Sequence, residues 1–261
     1  MKLTVRVSCL TAVLLLSLSS TAWMQESSPP LVEKNVVYGK AGEEELRLDL
    51  AYPSDGQLPY QALIYIYSSW GWYSACNRGS YANTIRKAAK RGYVAAAIDF
   101  RRLDVKQDGR SRYPFPAQVE DAKAAARWLR ANAAKYNIDT NRIAALGWTY
   151  GGHMALMLGL TDPEDGLEGS SGNEGYSSKV QAVVRVTGIV DMATHYQEAL
   201  QTKRGNVPVI ENFMQGTPEE RPSAYKAASP ITYVRADSPP VLTLHVDKDR
   251  CIWIEQSEAL E

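Results

Sequence analysis

Arg142-Ile143-Ala144-Ala145-Leu146-Gly147-Trp148-Thr149-Tyr150-Gly151-Gly152-His153-Met154-Ala155-Leu156 is the stretch that decides the fold. A short apolar run, Ile143 to Leu146, meets Gly-x-Thr-x-Gly and passes at once into a helix-forming sequence. Strand, turn and helix in so few residues require a tight crest, because glycine lets two backbone segments approach where a Cβ would collide. The side chain at the middle of that crest, Thr149, is thrust above the end of a sheet.

Outward from the crest, β-rich runs alternate with helical patterns, the signature of a mainly parallel sheet covered by helices. Leu46 to Tyr52 alternates apolar and polar residues, as a half-covered edge strand does. Leu63 to Tyr67, Val94 to Ile98, Ile143 to Leu146, Val180 to Val186 and Val241 to His245 are nearly continuous apolar runs and read as strands covered on both faces. Tyr81 to Arg91 and Pro116 to Tyr136 read as helices. In the second, Val119, Ala122, Ala126, Leu129 and Ala133 recur at spacings of three and four and form one apolar stripe. Pro116 suits the first helical turn and Asn137 a stop. Residues 161–179 and 192–239, rich in Gly, Ser, Pro and acids, read as excursions beyond the sheet.

The 261 residues are 45% hydrophobic and 22% charged, which describes one ordinary globular domain and excludes disorder, collagen-like repetition and a coiled coil. Lys+Arg and Asp+Glu are 29 each, so no electrostatic footprint for nucleic acid or anionic membrane exists and a neutral small-molecule partner is expected. Lys2 and Arg6 precede an apolar run from Val7 to Leu18, followed by Ser20-Thr21-Ala22. Residues 1–22 therefore read as a cleaved secretory signal, too short to cross a bilayer, and the domain as residues 23–261, secreted or periplasmic. Of the three cysteines, Cys9 leaves with the signal. Cys76 and Cys251 remain, either paired or as two buried thiols. No phosphate loop, dinucleotide fingerprint or Cys/His metal spacing occurs, so no cofactor or metal is expected.

Together these blocks resemble the secreted α/β-hydrolases of the esterase/lipase type, within the branch of bacterial acetyl- and feruloyl-esterase-like proteins. The resemblance covers about residues 34–261. It is carried by the crest, which has the layout of a nucleophile elbow, by Tyr113-Pro-Phe-Pro116 running into Asp121 to Arg130, by Asn137 to Arg142, and by Pro239 to Asp249 before Glu255-Gln-Ser257. It implies an α/β-hydrolase three-layer sandwich with a mainly parallel sheet. Against that pattern the chain reads as C-terminally truncated, lacking the last strand and helix, with Val241 to His245 left as an apolar edge. The implied activity is hydrolysis of an acetyl or feruloyl ester, small or polysaccharide-linked. Thr149 falls at the nucleophile and Asp249 at the acid of the triad, with oxyanion donors from the backbone of Tyr150 and of Ser68 or Ser69. Trp70, Trp72, Trp148 and Trp253 map around the pocket, either filling it with Tyr67, Tyr73 and Tyr150 or offering a stacking surface.

Several positions depart from the resemblance. Relatives carry serine at the crest and His-Gly-Gly-Gly-Trp after the strand that here reads Tyr67-Ser68-Ser69-Trp70-Gly71-Trp72. The elbow holds its nucleophile at positive φ, a strained state for a β-branched residue. No histidine follows Asp249, and without an imidazole an alcohol is almost wholly protonated near neutral pH. Of the histidines present, His153 reads as packing or capping, His195 as solvent-exposed, and His245 as a strand-end residue. Arg185 interrupts an apolar strand and needs a partner, with Asp191 one candidate; otherwise it points past the strand into water. Asp247 reads as a turn carboxylate. The two functional readings are therefore an ester hydrolase and a catalytically silent member that binds an aromatic or carbohydrate ligand.

Overall fold

The computed structural model describes residues 28–55, 59–69, 77–104, 111–202, 207–249 and 251–261. The leader segment, Trp70, Trp72, Tyr73 and Cys76 lie outside those residues. Seven strands form one sheet: β1 (Leu31–Ala41), β2 (Glu44–Tyr52), β3 (Tyr60–Ile66), β4 (Tyr93–Ile98), β5 (Ile138–Trp148), β6 (Ala182–Val186) and β7 (Val241–Leu244). Their order is β1-β2-β4-β3-β5-β6-β7. β2 runs antiparallel to both its neighbours, and all pairs from β4 to β7 are parallel.

Parallel neighbours need crossovers, and helices supply them. These are α1 (Ala82–Ala89), α2 (Ala117–Ala131), α3 (Ala133–Tyr136), α4 (Tyr150–Leu160), α5 (Met192–Thr202), α6 (Val207–Met214) and α7 (Pro222–Ala227), while α8 (Glu255–Glu258) follows β7. The three-layer sandwich read from the sequence is therefore present, and five of the six expected strands fall where the apolar runs lie. The sixth, Leu46 to Tyr52, is a strand but not an edge. β1 flanks it, and that strand escapes the alternation rule because two register shifts, between Glu33 and Val36 and between Val37 and Gly39, break its period of two.

Two further expectations need correction. β7 lies at the sheet margin, as its sequence suggested, but only one of its faces is covered: Leu242 and Leu244 are about half exposed. The Pro116–Tyr136 helix breaks at Asn132 and ends on Asn137 at φ 53°, the left-handed stop that asparagine tolerates. Val119, Ala122, Ala126 and Leu129 are fully buried, as the stripe requires, yet Asp121, Lys123 and Arg127 are buried too. Asp121 is paired with Arg101, and Lys123 and Arg127 are covered by the 161–179 excursion, which folds back over the outer face of α2.

Glu168 fastens that excursion. Its carboxylate accepts from Lys123 Nζ at 2.6 Å and from Arg127 Nη1 at 2.9 Å, and Lys123 also donates to the Thr161 carbonyl. Desolvation lowers the Lys123 pKa while the two cations hold Glu168 below the ordinary carboxylate value. Removing the shared anion leaves two buried cations uncompensated. Glu168→Ala is therefore expected to cost about 3–5 kcal/mol, read as a lowered urea midpoint; a loss within about 0.5 kcal/mol, the range of a surface change, would contradict this packing account.

Candidate active site

At the end of β5 the chain turns through Thr149 and enters α4. Thr149 has φ 48° and ψ −114°. Its N–H donates to the Val186 carbonyl of β6 at 2.9 Å, and its carbonyl accepts from His153 N–H at 3.0 Å. Two glycines make this possible. A Cβ on Gly147 would stand 1.9 Å from the Gly151 carbonyl oxygen, and one on Gly151 would stand 2.2 Å from the Ile66 carbonyl oxygen. The crest thus exists as read from the sequence, and it accepts threonine at positive φ rather than relaxing.

Because Gly151 presses against the end of β3, the residues that follow that strand come beside Thr149. The Thr149 hydroxyl donates to Ser68 Oγ. Ser69 is buried next to it. Tyr150 begins α4, so its N–H belongs to the first turn that has no intrahelical acceptor. Its ring is buried, 5.5 Å from the His153 ring and edge-on to Phe213. The structure therefore brings Thr149, Ser68, Ser69 and the Tyr150 backbone together.

The aromatic residues divide. Tyr67 is buried and stacks on Phe100 at 4.7 Å, and with Tyr150 it fills the core. Trp148, by contrast, is 53% exposed beside the crest, and Trp253 is half-buried in the β7–α8 connection. Asp249 lies in that same connection, where its Oδ1 accepts from Cys251 N–H at 2.7 Å and Ile252 N–H at 3.0 Å. The local turn-capping role expected of Asp247 belongs to Asp249. Cys251 is free and exposed, so the reading of two buried thiols is overturned for it.

All three histidines of the sequence are described, and each has contacts away from the crest hydroxyl. His153, buried as expected, contacts the Ala228 carbonyl through Nε2 at 2.8 Å. His195, expected at the surface, is buried on α5 with Nδ1 3.7 Å from Glu198, because α5 to α7 form a helical cap that periodicity in a Pro-broken sequence did not reveal. His245 uses both ring nitrogens, Nδ1 with Ser257 Oγ and Nε2 with the Ile252 carbonyl.

Arg185 corrects both alternatives offered for it. Its guanidinium is fully buried and bonds the Gly188 carbonyl and Ser257 Oγ, while Asp191 instead receives the Thr194 N–H at the start of α5. Ser257 and Gln256, whose Oε1 accepts from the Val190 and Asp191 N–H groups, are the site-supporting residues that sequence reasoning assigned no role. The Glu255-Gln-Ser257 block was the available signal. Among the described residues no group of three His, Cys, Asp or Glu is arranged to hold a metal ion, and no helix is long and apolar enough to cross a membrane.

A crest of this geometry over a mainly parallel sheet defines the α/β-hydrolase fold. Residues 48–261 match the BD-FAE family, and the chain belongs to it. Esterase LipQ of Mycobacterium tuberculosis is 28% identical over 229 residues, 86% of this chain and 51% of that protein. Esterase LipC of the same organism is 32% identical over 69% of this chain and 42% of that protein. The chain thus spans about half the length of the curated relatives it matches. Among solved structures, a truncated form of a carbohydrate esterase from gut microbiota superposes with TM-score 0.74 at 30% identity, covering 91% of this chain and 83% of that one. A bifunctional GH43-CE protein of Bacteroides eggerthii gives 0.73 at 28% identity, covering 88% and 33%.

Two expected outcomes follow from the geometry. The φ, ψ pair at Thr149 is one that residues with a Cβ rarely adopt, so Thr149→Gly is expected to raise unfolding free energy by about 1 kcal/mol in urea titration, despite loss of the hydroxyl contact. A net destabilisation would show that the crest is unstrained. Burial holds His153 down to about 4 from its ordinary value. Its folded pKa lies below the unfolded one, so the unfolded chain binds the proton first. Stability is therefore complete above about pH 6.5 and falls as pH drops toward 4, by on the order of 3 kcal/mol for this group. His153→Gln should flatten that slope by up to one proton; an unchanged slope would place the titration elsewhere.

Proposed function

We propose that the crest is the acyl-accepting site of a carboxylic-ester hydrolase, with an acetyl or feruloyl ester, small or polysaccharide-linked, as substrate. The observation that carries this reading is Thr149 itself: held at φ 48° on a glycine-built crest, with its hydroxyl beside Ser68. In acylation the Thr149 oxygen bonds to the ester carbonyl carbon, the ester C–O bond breaks and the hydroxyl proton leaves with the departing alcohol; water then cleaves the acyl–Thr149 ester, releasing the acid and restoring the hydroxyl. The negative oxygen that develops needs fixed N–H donors, which the Tyr150 backbone and the Ser68–Ser69 segment would supply. Asp249 would serve as the acid, and Trp148 and Trp253, with Trp70 and Trp72, as the walls that receive the ester. Lys2, Arg6 and the apolar run to Leu18 support export with loss of residues 1–22.

A second reading, a silent member that binds an aromatic or carbohydrate ligand, is favoured by one observation. The contacts of His153, His195 and His245 run to Ala228, Glu198, Ser257 and Ile252. An alcohol without such a proton acceptor is a weak nucleophile.

Incubation with p-nitrophenyl acetate and a fluorophosphonate, followed by mass spectrometry, separates the two. The hydrolase reading expects an adduct on Thr149 and turnover limited to roughly 10³–10⁴ over water, what oxyanion donors and binding supply without a full triad. Neither turnover nor adduct, with retained ligand binding, would overturn it in favour of the silent binder. Thr149→Ser alone should leave the rate low, and the intact mass of exported protein reads whether residues 1–22 are gone.

A further inference from the structure

Arg185 sits on β6 in register with Gly147 of the crest. Its stem packs against the close approach of α4 and β6, where a Cβ on Gly188 would come 3.1 Å from Arg185 Cγ. The guanidinium is fully buried, yet its hydrogen bonds go to the Gly188 carbonyl at 3.1 Å and to Ser257 Oγ at 2.6 Å, not to a carboxylate. Its Nη1 has no hydrogen-bond partner. A buried cation arranged this way costs free energy that an apolar side chain of like volume would not. Its worth must therefore lie in what it orients.

The bonds leading away from it form a directed chain. Arg185 can only donate, so Ser257 Oγ accepts and its own proton is free to point at His245 Nδ1, its other partner. With Nδ1 accepting, the ring proton belongs on Nε2, where it donates to the Ile252 carbonyl at 3.0 Å. Ile252 N–H in turn donates to Asp249 Oδ1 at 3.0 Å, beside Cys251 N–H. Three elements, β6, the end of β7 and α8, are thereby tied to one turn.

We propose that Arg185 is a positioning residue: through Ser257 and His245 it fixes the His245 tautomer and so the turn that presents Asp249. The importance of that turn rests on reading Asp249 as the acid of the hydrolase site. The relay itself does not depend on turnover, so its test is chosen to be independent of activity.

Arg185→Met and Ser257→Ala are compared with the native chain by ¹⁵N spectra of the histidine rings and by amide hydrogen exchange. In both variants the His245 Nδ1 resonance is expected to move toward that of an imidazole nitrogen without a hydrogen-bond donor. The Cys251 and Ile252 amides are expected to exchange about tenfold faster, the fold-change of losing one charge-assisted bond, while exchange in the β3 and β5 strands stays native. Arg185→Gln replaces Arg185→Met if the latter does not fold. An unmoved Nδ1 resonance, a response in Ser257→Ala but not at position 185, or a uniform rise in exchange across the chain would each overturn the proposal. Absence of ester turnover in the native chain would count against the hydrolase reading and leave these spectra to judge the relay.

Discussion

The rim of the sheet depends on a steric constraint, the close backbone approach at Gly147 and Gly151: a Cβ on Gly147 would meet the Gly151 carbonyl, and one on Gly151 would meet the carbonyl of Ile66 at the end of β3. That approach folds β5 directly back into α4 and lifts Thr149 to positive φ. It also seats the crest on the end of β3, which is why Ser68 meets the Thr149 hydroxyl. A third close approach, Gly152 against Gly188, lets β6 run beneath the first turn of α4 and places Arg185 under the same crest. Backbone sterics thus determine which side chains can gather there before any of them has chemistry to perform.

Around this frame, buried charge is handled in two ways. On the outer face of α2, Lys123 and Arg127 share Glu168, and the arrangement fastens a long irregular excursion to the helix. Beneath the crest the opposite holds. Arg185 bonds neutral oxygens only, and burial depresses it to about 10. His153 is kept neutral inside an aromatic setting of Tyr150 and Phe213. The first arrangement serves stability. The second spends stability on orientation, a feature expected near sites that evolved for reaction.

Much of this was legible in the sequence. The crest could be read because only glycines permit it, and four of the parallel strands because strands covered on both faces need continuous apolar runs, a run that β7 also carries although one of its faces is open. What escaped reading depends on distant parts of the chain. β1 hid behind its bulges, and the burial of Arg127 is set by Glu168 and Gly172, 41 and 45 positions away in a segment that carries no periodic signal. The Arg185–Ser257–His245 chain joins residues as far as 72 positions apart, and nothing in the local sequence of any one of them reports the other two. The contact of the Thr149 and Ser68 hydroxyls, which joins residues 81 positions apart, was not foreseen.

The central claim is that a hydrolase crest persists here while no imidazole meets the hydroxyl it carries. Chemical rescue tests this most directly: acylation of the native chain and of Thr149→Ala by an activated ester, measured against added imidazole. The account predicts slow acylation that rises with imidazole concentration in the native chain and no rise in the variant. Fast native acylation that is indifferent to imidazole would contradict it, since a proton acceptor would then already be in place.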